Sequence, residues 1–348
     1  MITGLHYLRA IAAMLVVGHH ANSYFLDHGQ WSNFGEAGVD IFFVISGFVM
    51  AWTTQRNATA PSPAHAAFMF LARRLIRVVP LYWLALLWLL KRDIWENVVD
   101  PQTLLDFLFL PRFNPDHLNH IYPVLVPGWT INYEMFFYAI FAASILLGRY
   151  KYVAIFSTLT ATILVGHWVD FQSAFGQFYT SSIVAEFLYG ILICKLVQKF
   201  GHNHFPRLAG LALCAAFAGL AFVSPGDIPR AYFAGPIAAL IVYAGILAFN
   251  GRNLPWLHRL ADASFSIYLT HLFTFKISRS LLMHALPPDQ ASPAAIALGL
   301  GVQMAIAAIV GLMVHRWVEQ PLTQYLTRRF IKPRESLLPG RESPTQGV

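Results

Sequence analysis

The first apolar segment of the chain, LRAIAAMLVVGHH at residues 8–20, carries an arginine at one end and two histidines at the other. In an α-helix, eleven residues advance about 16 Å and complete about three turns, so Arg9 and His20 lie on one face, whereas His19 points about 100° away. Arginine binds anionic groups, and histidine serves as a general base or a nucleophile. Plainer interpretations exist, because an arginine near a helix end also reaches lipid phosphates and a membrane histidine also serves in packing.

Carboxylates lie within three later apolar segments: Asp40 in GVDIFFVISGF, Glu134 in WTINYEMFFY and Glu186 in SSIVAEFLYG. A carboxylate at membrane depth is costly unless a cation, hydrogen bonds or a water-filled cavity compensate it. We therefore expect a cationic or hydrogen-bonding partner for Asp40. We expect Glu134 to polarise a histidine that acts as a base, and Glu186 either takes that role or neutralises an arginine.

The segment ARRLIRVVPLYW places Arg74 and Arg77 one turn apart on the same face of a helix. Guanidinium groups bind phosphate oxygens in a bidentate manner, so one interpretation is a phosphate clamp. The other is the ordinary enrichment of positive charge at the cytoplasmic ends of membrane helices.

Further candidates for substrate contacts are aromatic and histidine side chains near these groups. Trp129 and Tyr133 flank Glu134 and also fit an aromatic belt at the membrane interface. His271, in SIYLTH, is either a second active-site group or a packing residue. The histidines are too scattered to predict a metal site, and no phosphate-binding glycine loop, HExxH or GxSxG motif occurs. We expect no metal and no permanently bound cofactor.

The elements that carry these residues are apolar segments of membrane-spanning length. The chain has 348 residues, of which 57% are hydrophobic and 12% charged, and a spanning helix needs about 20 mostly apolar residues. The pattern predicts an all-α, polytopic integral membrane helix bundle without a separate soluble domain. Ten spans are expected near residues 5–26, 37–55, 77–92, 128–147, 152–169, 179–197, 207–224, 231–249, 264–283 and 294–316, while 102–111 is too short and is expected to be interfacial or re-entrant.

The distribution of positive charge predicts the orientation of the bundle. Most of the 24 lysines and arginines flank the ends of spans on the side of the N-terminus, and such residues are enriched in cytoplasmic loops. We therefore expect both termini in the cytoplasm and the chain in the inner membrane. Residues 3–325 form the expected membrane domain, and 326–348 are expected to be a disordered cytoplasmic tail. No basic stripe with interleaved aromatic residues indicates nucleic-acid binding.

Six motifs occur in a fixed order: LRAIAAMLVVGHH, GVDIFFVISGF, RRLIR, WTINYEMFFY, SIYLTH and VEQP. Over residues 3–325 this order resembles the membrane-bound acyltransferase-3 family, whose members O-acetylate or otherwise acylate surface polysaccharides, O-antigens, nodulation factors and some small molecules. The resemblance implies a ten-span acyltransferase domain, cytoplasmic acyl-CoA as donor and an extracytoplasmic or membrane-linked acceptor. It marks as functional Arg9, His20, Asp40, Arg74, Arg77 and Glu134.

The hypothesis that follows is an acyl-CoA-dependent O-acyltransferase, with acetyl-CoA the preferred donor. His20 acts as general base or as a transient acyl carrier, and Glu134 orients it. Arg9, Arg74 and Arg77 bind the donor, and Asp40 supports the site. The expected partners are acyl-CoA, a carbohydrate or lipid-linked glycan, and membrane lipids, with a homodimer left open.

The alternative is a multi-span transporter or flippase for a sugar or small molecule, in which the intramembrane His, Glu and Asp groups form a path. The sequence shows no repeated halves with broken helices. The arginine pair suits an anionic cytoplasmic cosubstrate. Both observations favour the acyltransferase.

Overall fold

Long helices form most of the chain that the structure describes. The computed structural model describes residues 2–25, 32–55, 61–96, 98–117, 120–202, 206–222, 228–285 and 292–331. In chain order the helices are α1 (Thr3–Phe25), α2 (Ser32–Gln55), α3 (Pro63–Trp95), α4 (Thr103–Phe107), α5 (Gly128–Ile145), α6 (Lys151–Trp168), α7 (Ala174–Tyr179), α8 (Ala185–Phe200), α9 (Pro206–Phe222), α10 (Arg230–Ala248), α11 (Pro255–Asp262), α12 (Ser264–Ala285), α13 (Pro293–Val314) and α14 (Gln320–Phe330). A two-stranded antiparallel ribbon joins β1 (Phe113–Asn114) to β2 (His120–Ile121).

Four helical stretches within the described residues are long and apolar enough to cross a membrane. They are Gly35–Thr54, Ala174–Phe200, Arg230–Ala248 and Pro293–Phe330. Each of the ten segments expected to span coincides with a long helix, so the helical character of the membrane protein is confirmed. The ten-span topology itself stays a prediction.

Helix α2 packs closely against α1 on one side and α8 on the other, and glycine makes both approaches possible. A Cβ atom on Gly38 would collide with the carbonyl oxygen of Ala12 in α1. A Cβ on Gly47 would collide with the carbonyl oxygen of Phe187 in α8. Small residues let membrane helices approach at backbone distance. This packing fixes the face of α2 that contributes to the site.

The start of α1 packs against the short helix α11. The hydroxyl of Tyr7 donates to the carbonyl oxygen of Arg252 at 3.2 Å and accepts from the backbone N–H of Leu254 at 2.8 Å. Leu257 and Ala261 of α11 are buried in a small apolar cluster with Tyr7. Because α12 begins directly after α11, this contact also sets the position of the first turn of α12.

The segment between α3 and α5 contains the short helix α4, whose five residues span about 7.5 Å. The expectation that residues 102–111 do not cross the membrane therefore agrees with the structure. The buried carboxylate of Asp106 accepts from Nε of Arg112 at 3.0 Å and from the backbone N–H of Val124 at 2.9 Å. Burial raises the pKa of Asp106, while these two hydrogen bonds act in the opposite direction.

The last helix extends further than the sequence indicated. Residues 326–330 belong to the expected tail and are helical, because α14 continues through Phe330; the boundary of the membrane domain stays a prediction. A π-helical turn, His315–Glu319, joins α13 to α14, and Glu319 accepts from Ser266 Oγ at 2.6 Å. This hydrogen bond connects the π-helical turn to α12. The rest of the expected tail, residues 332–348, lies outside the described residues.

Candidate active site

A cavity between α1, α2, α3, α5 and α12 contains about 820 Å³ of empty volume, its open mouth included. The charged residues that line it, among those the structure describes, are Arg9, Arg74, Arg77 and Glu134. The apolar part of the wall includes Val39, Phe42, Phe43, Ile45 and Val49. The three arginines predicted to bind the donor therefore meet in one cavity; we call it the arginine cavity.

The arginine cavity carries more positive charge than its own acid neutralises. Nη2 of Arg74 donates to Thr53 Oγ1 at 3.2 Å, and its guanidinium lies 5.7 Å from the ring centre of Phe70. Arg9 and Arg77 form no hydrogen bond or ion pair with any described residue. Guanidinium groups without partners in a concave site favour an anionic ligand, especially one with phosphate oxygens.

Glu134 is held by two hydroxyl groups on the wall of the arginine cavity. Its carboxylate accepts from Ser46 Oγ at 2.5 Å and from the hydroxyl of Tyr138, one turn further along α5, at 2.8 Å. This carboxylate attracts both Arg9 and Arg74 electrostatically, and Glu319 also attracts Arg9. The expectation that Glu134 orients His20 is not what the structure shows, because the carboxylate faces α2 and the arginines.

His20 has a histidine as its partner. Nε2 of His271 lies 3.3 Å from Nδ1 of His20, and the same Nδ1 lies 3.0 Å from the carbonyl oxygen of Val16. Nδ1 of His271 lies 2.6 Å from the carbonyl oxygen of Tyr268. His271 is fully buried with both ring nitrogens in contact with protein atoms, so it is a partner of His20 and not the substrate contact that was considered.

The hydrogen bonds assign the tautomers of this histidine pair. A carbonyl oxygen can only accept, and a neutral imidazole has one N–H. In the neutral pair, both Nδ1 atoms therefore carry the proton, and the single N–H of His20 is shared between the carbonyl oxygen of Val16 and Nε2 of His271. The lone pair of His20 is then on Nε2, which is the arrangement that a general base or a nucleophile requires.

One layer of side chains separates the histidine pair from the arginine cavity. Phe42 and Tyr268 line the cavity with ring centres 5.8 Å apart. The ring of Tyr268 also lies 6.1 Å from that of His271, whereas neither histidine lines the cavity. Arg9 and His20, which were expected on one face of α1, therefore do not line one common cavity.

Asp40 has the cationic partner that was expected for it. Nε and Nη2 of Arg230 donate to its two carboxylate oxygens, each at 2.8 Å, and Arg230 also pairs with Glu36. Glu186 is fully buried in the same charged group, with its carboxyl group beside that of Asp40. Since Arg230 occupies both oxygens of Asp40, and Asp40 does not line the arginine cavity, this group supports the bundle next to the cavity.

A second cavity, the aromatic pocket, lies beyond the first turn of α5 and contains about 710 Å³ of empty volume, its open mouth included. Its wall includes both aromatic candidates, Trp129 and Tyr133, together with Phe178, Gln177 and Ser181. The rings of Tyr133 and Phe178 stack with centres 3.8 Å apart. One face of α5 therefore lines this pocket, while the neighbouring face, with Thr130 and Glu134, lines the arginine cavity.

Comparisons with known proteins identify the fold that carries these cavities. The model of the acyltransferase-3 family, described as an acyltransferase domain, matches residues 2–312. The chain belongs to this family. It is similar to the exopolysaccharide production protein ExoZ of Rhizobium meliloti (strain 1021), with 33% identity over 315 residues that cover 84% of this chain and 91% of that protein.

Two further relatives of this acyltransferase match along most of its length. The acyltransferase MdmB of Streptomyces mycarofaciens is 25% identical, with 94% of this chain and 92% of that protein covered. The putative membrane-bound transacylase BcsY of Komagataeibacter xylinus is 27% identical, with 94% and 84% covered. No solved structure matches. The chain is therefore a helical membrane acyltransferase.

Sequence reasoning missed two groups of this acyltransferase that the structure brings to the site. Arg230 is the partner of Asp40. In the sequence, Arg230 is noticeable only as a cation at the start of an apolar segment, on the side of the membrane that carries fewer lysines and arginines. Ser46 and Tyr138 hold Glu134. Tyr138 was detectable, since it follows Glu134 by one helical turn, whereas Ser46 belongs to another helix.

Proposed function

We propose that this acyltransferase moves an acyl group from cytoplasmic acyl-CoA to a hydroxyl of an extracytoplasmic or lipid-linked carbohydrate. The observation that carries the proposal is the arginine cavity, in which Arg9, Arg74 and Arg77 face one shared space with a single carboxylate in its wall. An acyl-CoA combines a strongly anionic nucleotide with a long neutral arm. That combination suits a cavity with guanidinium groups at its wall and an apolar remainder.

Arg77 and Arg74 bind the phosphate oxygens of the donor, and Arg9 faces them from α1. All three arginines lie in the first half of α1 or α3. The charge distribution predicts that both helices begin on the cytoplasmic side of the membrane. The thioester end of the donor then lies toward Phe42 and Tyr268.

The aromatic pocket is the proposed acceptor site. Trp129, Tyr133 and Phe178 provide aromatic surface, and Gln177 and Ser181 provide hydrogen-bonding groups, a combination typical of sites that orient a small polar ligand. The name of the exopolysaccharide production protein ExoZ, 33% identical to this chain, supports a polysaccharide or its lipid-linked precursor as acceptor. Acetyl remains the preferred acyl group.

His20 performs the proton transfer in this proposal. Nε2 of His20 takes the proton of the acceptor hydroxyl as its oxygen attacks the carbonyl carbon of the thioester, giving a tetrahedral oxyanion. The C–S bond then breaks, the ester forms, and the thiolate of CoA receives the proton from His20. In the alternative order, Nε2 attacks the thioester first and displaces the CoA thiolate; the acceptor hydroxyl then takes the acyl group from Nε2, and its proton passes through His20 to the thiolate.

Movement of the layer between the cavity and the histidines belongs to this mechanism. Phe42 and Tyr268 separate the arginine cavity from His20 and His271. Rotation of the apolar Phe42 side chain breaks no hydrogen bond and opens a path from the arginine cavity to His20. Donor binding and acyl transfer are thereby separable steps, because the residues that bind phosphate are not those that move the proton.

The test is acyl transfer in sealed inside-out membrane vesicles that contain the full-length protein. The vesicles are loaded with a membrane glycan acceptor. Labelled acetyl-CoA is added outside them, where the cytoplasmic face of the protein is exposed. The expected result is labelled acceptor, none from right-side-out vesicles, and loss of label with His20→Ala. Movement of an unmodified sugar or small molecule without label transfer would support the transporter alternative and refute the proposal.

A further inference from the structure

Three side chains with metal-binding atoms meet where the start of α1 packs on α11. His6 comes from α1, while His258 and Asp262 lie one turn apart on α11, and their ligand atoms all lie within 4.8 Å of one another. Nε2 of His6 is 3.3 Å from Oδ1 of Asp262, and the rings of His6 and His258 have centres 4.3 Å apart. This cluster could not be predicted from the sequence, because about 250 residues separate its two parts.

The central member of the cluster lacks well-formed hydrogen bonds to the described residues. His6 is only 3% exposed, and its ring nitrogens have no well-formed hydrogen bond to the described residues, although the backbone of His258 and the carboxylate of Asp262 lie close to the ring. Its contact with Asp262 lacks hydrogen-bond geometry. A buried polar group without a well-formed hydrogen bond is costly, and a bound cation accounts for the ring nitrogen of His6 that coordinates it.

We propose that His6, His258 and Asp262 form a binding site for a divalent transition-metal ion, with Zn²⁺ the best match. Two imidazoles and one carboxylate are a ligand set that Zn²⁺ accepts, with a water molecule completing a tetrahedron. Bonds of about 2.0–2.2 Å place tetrahedral ligand atoms about 3.3 Å apart. The distance from His6 to Asp262, 3.3 Å, already equals this value.

The exposed members of the cluster give the ion a route to the site. His258 is exposed, and the side chain of Asp262 is 50% exposed, so both can rotate toward His6, which is fixed by burial. All ligand atoms lie within 4.8 Å of one another. A movement of about 1.5 Å or less brings each pair to the separation of about 3.3 Å that tetrahedral coordination requires. The two exposed ligands remain in contact with solvent, which leaves room for the water ligand.

The ion has a structural role, because the cluster lies beside the arginine cavity and not in it. Metal bonds from α1 to α11 would fasten the two helices together. Arg9 follows His6 by about one turn of α1, and Ser264 and Phe265 directly follow α11; all three line the arginine cavity. The ion therefore stabilises the wall of the cavity that carries Arg9. This inference is independent of the proposed acyl donor and acceptor.

The test is metal binding by the full-length protein in detergent, with its affinity tag removed and metal stripped by a chelator. Zn²⁺ is titrated by calorimetry, and retained metal is measured after dialysis. The expected result is one Zn²⁺ per chain, a rise in thermal stability on addition of Zn²⁺, and a tetrahedral visible spectrum with Co²⁺. His258→Ala and Asp262→Asn should each weaken binding by about tenfold or more.

His167→Ala is the matched control, since His167 is an exposed histidine at the end of α6, and it should bind Zn²⁺ as the unaltered protein does. Because His258 and Asp262 are exposed, their variants should fold, which circular dichroism and gel filtration verify. Absence of stoichiometric Zn²⁺ in the unaltered protein would overturn the proposal. Equal affinity in His258→Ala, Asp262→Asn and the unaltered protein would overturn it as well.

Discussion

His271 contacts His20 across α12 and α1, with 3.3 Å between Nε2 of His271 and Nδ1 of His20. The partner that orients the proposed base is thus a neutral imidazole, not the carboxylate of a hydrolase triad. The carbonyl oxygen of Val16 fixes the tautomer of His20, and His271 adds a neutral acceptor without placing a negative charge beside it. This arrangement suits a base that holds the proton briefly and returns it to the leaving thiolate.

Replacement of His20 by alanine should lower kcat by about 10²–10⁴-fold, the usual contribution of a positioned general base. Binding of acyl-CoA should change little, because His20 does not line the arginine cavity. Transfer of labelled acetyl groups measures kcat, and donor binding to the purified variant measures affinity. His19→Ala, on another face of α1, is the control, and full kcat in a folded His20→Ala variant would contradict the assignment.

Replacement of His271 by alanine should lower kcat by about three- to tenfold, the value of one lost hydrogen bond. Glutamine should restore part of the rate, because its amide oxygen can accept from Nδ1 of His20. The KM for acyl-CoA should stay the same in both variants. Equal loss in the alanine and glutamine variants, together with reduced thermal stability, would indicate that His271 only fills space.

Replacement of Trp129 by alanine should raise the KM for the acceptor by about five- to thirtyfold, since loss of an aromatic contact costs about 1–2 kcal/mol. The KM for acyl-CoA should not change, because Trp129 lines the aromatic pocket only. Steady-state kinetics with one substrate varied at a time separates the two constants. Trp95→Ala, at an 88% exposed site, is the control and should leave both KM values unchanged. A change in the donor KM alone in Trp129→Ala would contradict the acceptor assignment.

Replacement of Arg230 by alanine should lower the free energy of unfolding by about 3–5 kcal/mol, because it leaves a buried carboxylate without its cation. Asp40 is fully buried and loses both of its hydrogen-bond donors. Unfolding in detergent, followed by circular dichroism, measures the effect. Glu36→Gln is the control: Glu36 is an outer member of the group and 41% exposed, so its loss should lower the free energy of unfolding by about 1 kcal/mol or less. An unchanged free energy of unfolding in Arg230→Ala would show that the ion pair is dispensable.

The three arginines that line the arginine cavity could be selected from the sequence; that they bind an acyl donor stays a prediction. Arg74 and Arg77 are one turn apart on α3, and Arg9 lies on the inward face of α1. Membrane depth limits where such side chains can point, so three cations on inward faces converge. The need of Asp40 for a cation was equally predictable, since a carboxylate cannot be buried alone.

The pairings between distant segments could not be predicted, because they depend on which helices become neighbours. His20 and His271 are 251 positions apart, and Asp40 and Arg230 are 190 positions apart. Glu134 was assigned to the wrong partner for the same reason: the sequence places it in a helix, and only the packing of α5 on α2 brings Ser46 to it. The layer of Phe42 and Tyr268 is likewise a consequence of packing.

The most direct test of the central claim, that the arginine cavity binds the acyl donor, is the KM for acetyl-CoA of Arg77→Ala. A charge-assisted hydrogen bond contributes about 1.5–3 kcal/mol, so the KM should rise about 10- to 100-fold, with a similar rise in Arg74→Ala. Arg73→Ala, at an exposed position that does not line the cavity, should keep the original KM. An unchanged KM in folded Arg77→Ala and Arg74→Ala would contradict the account.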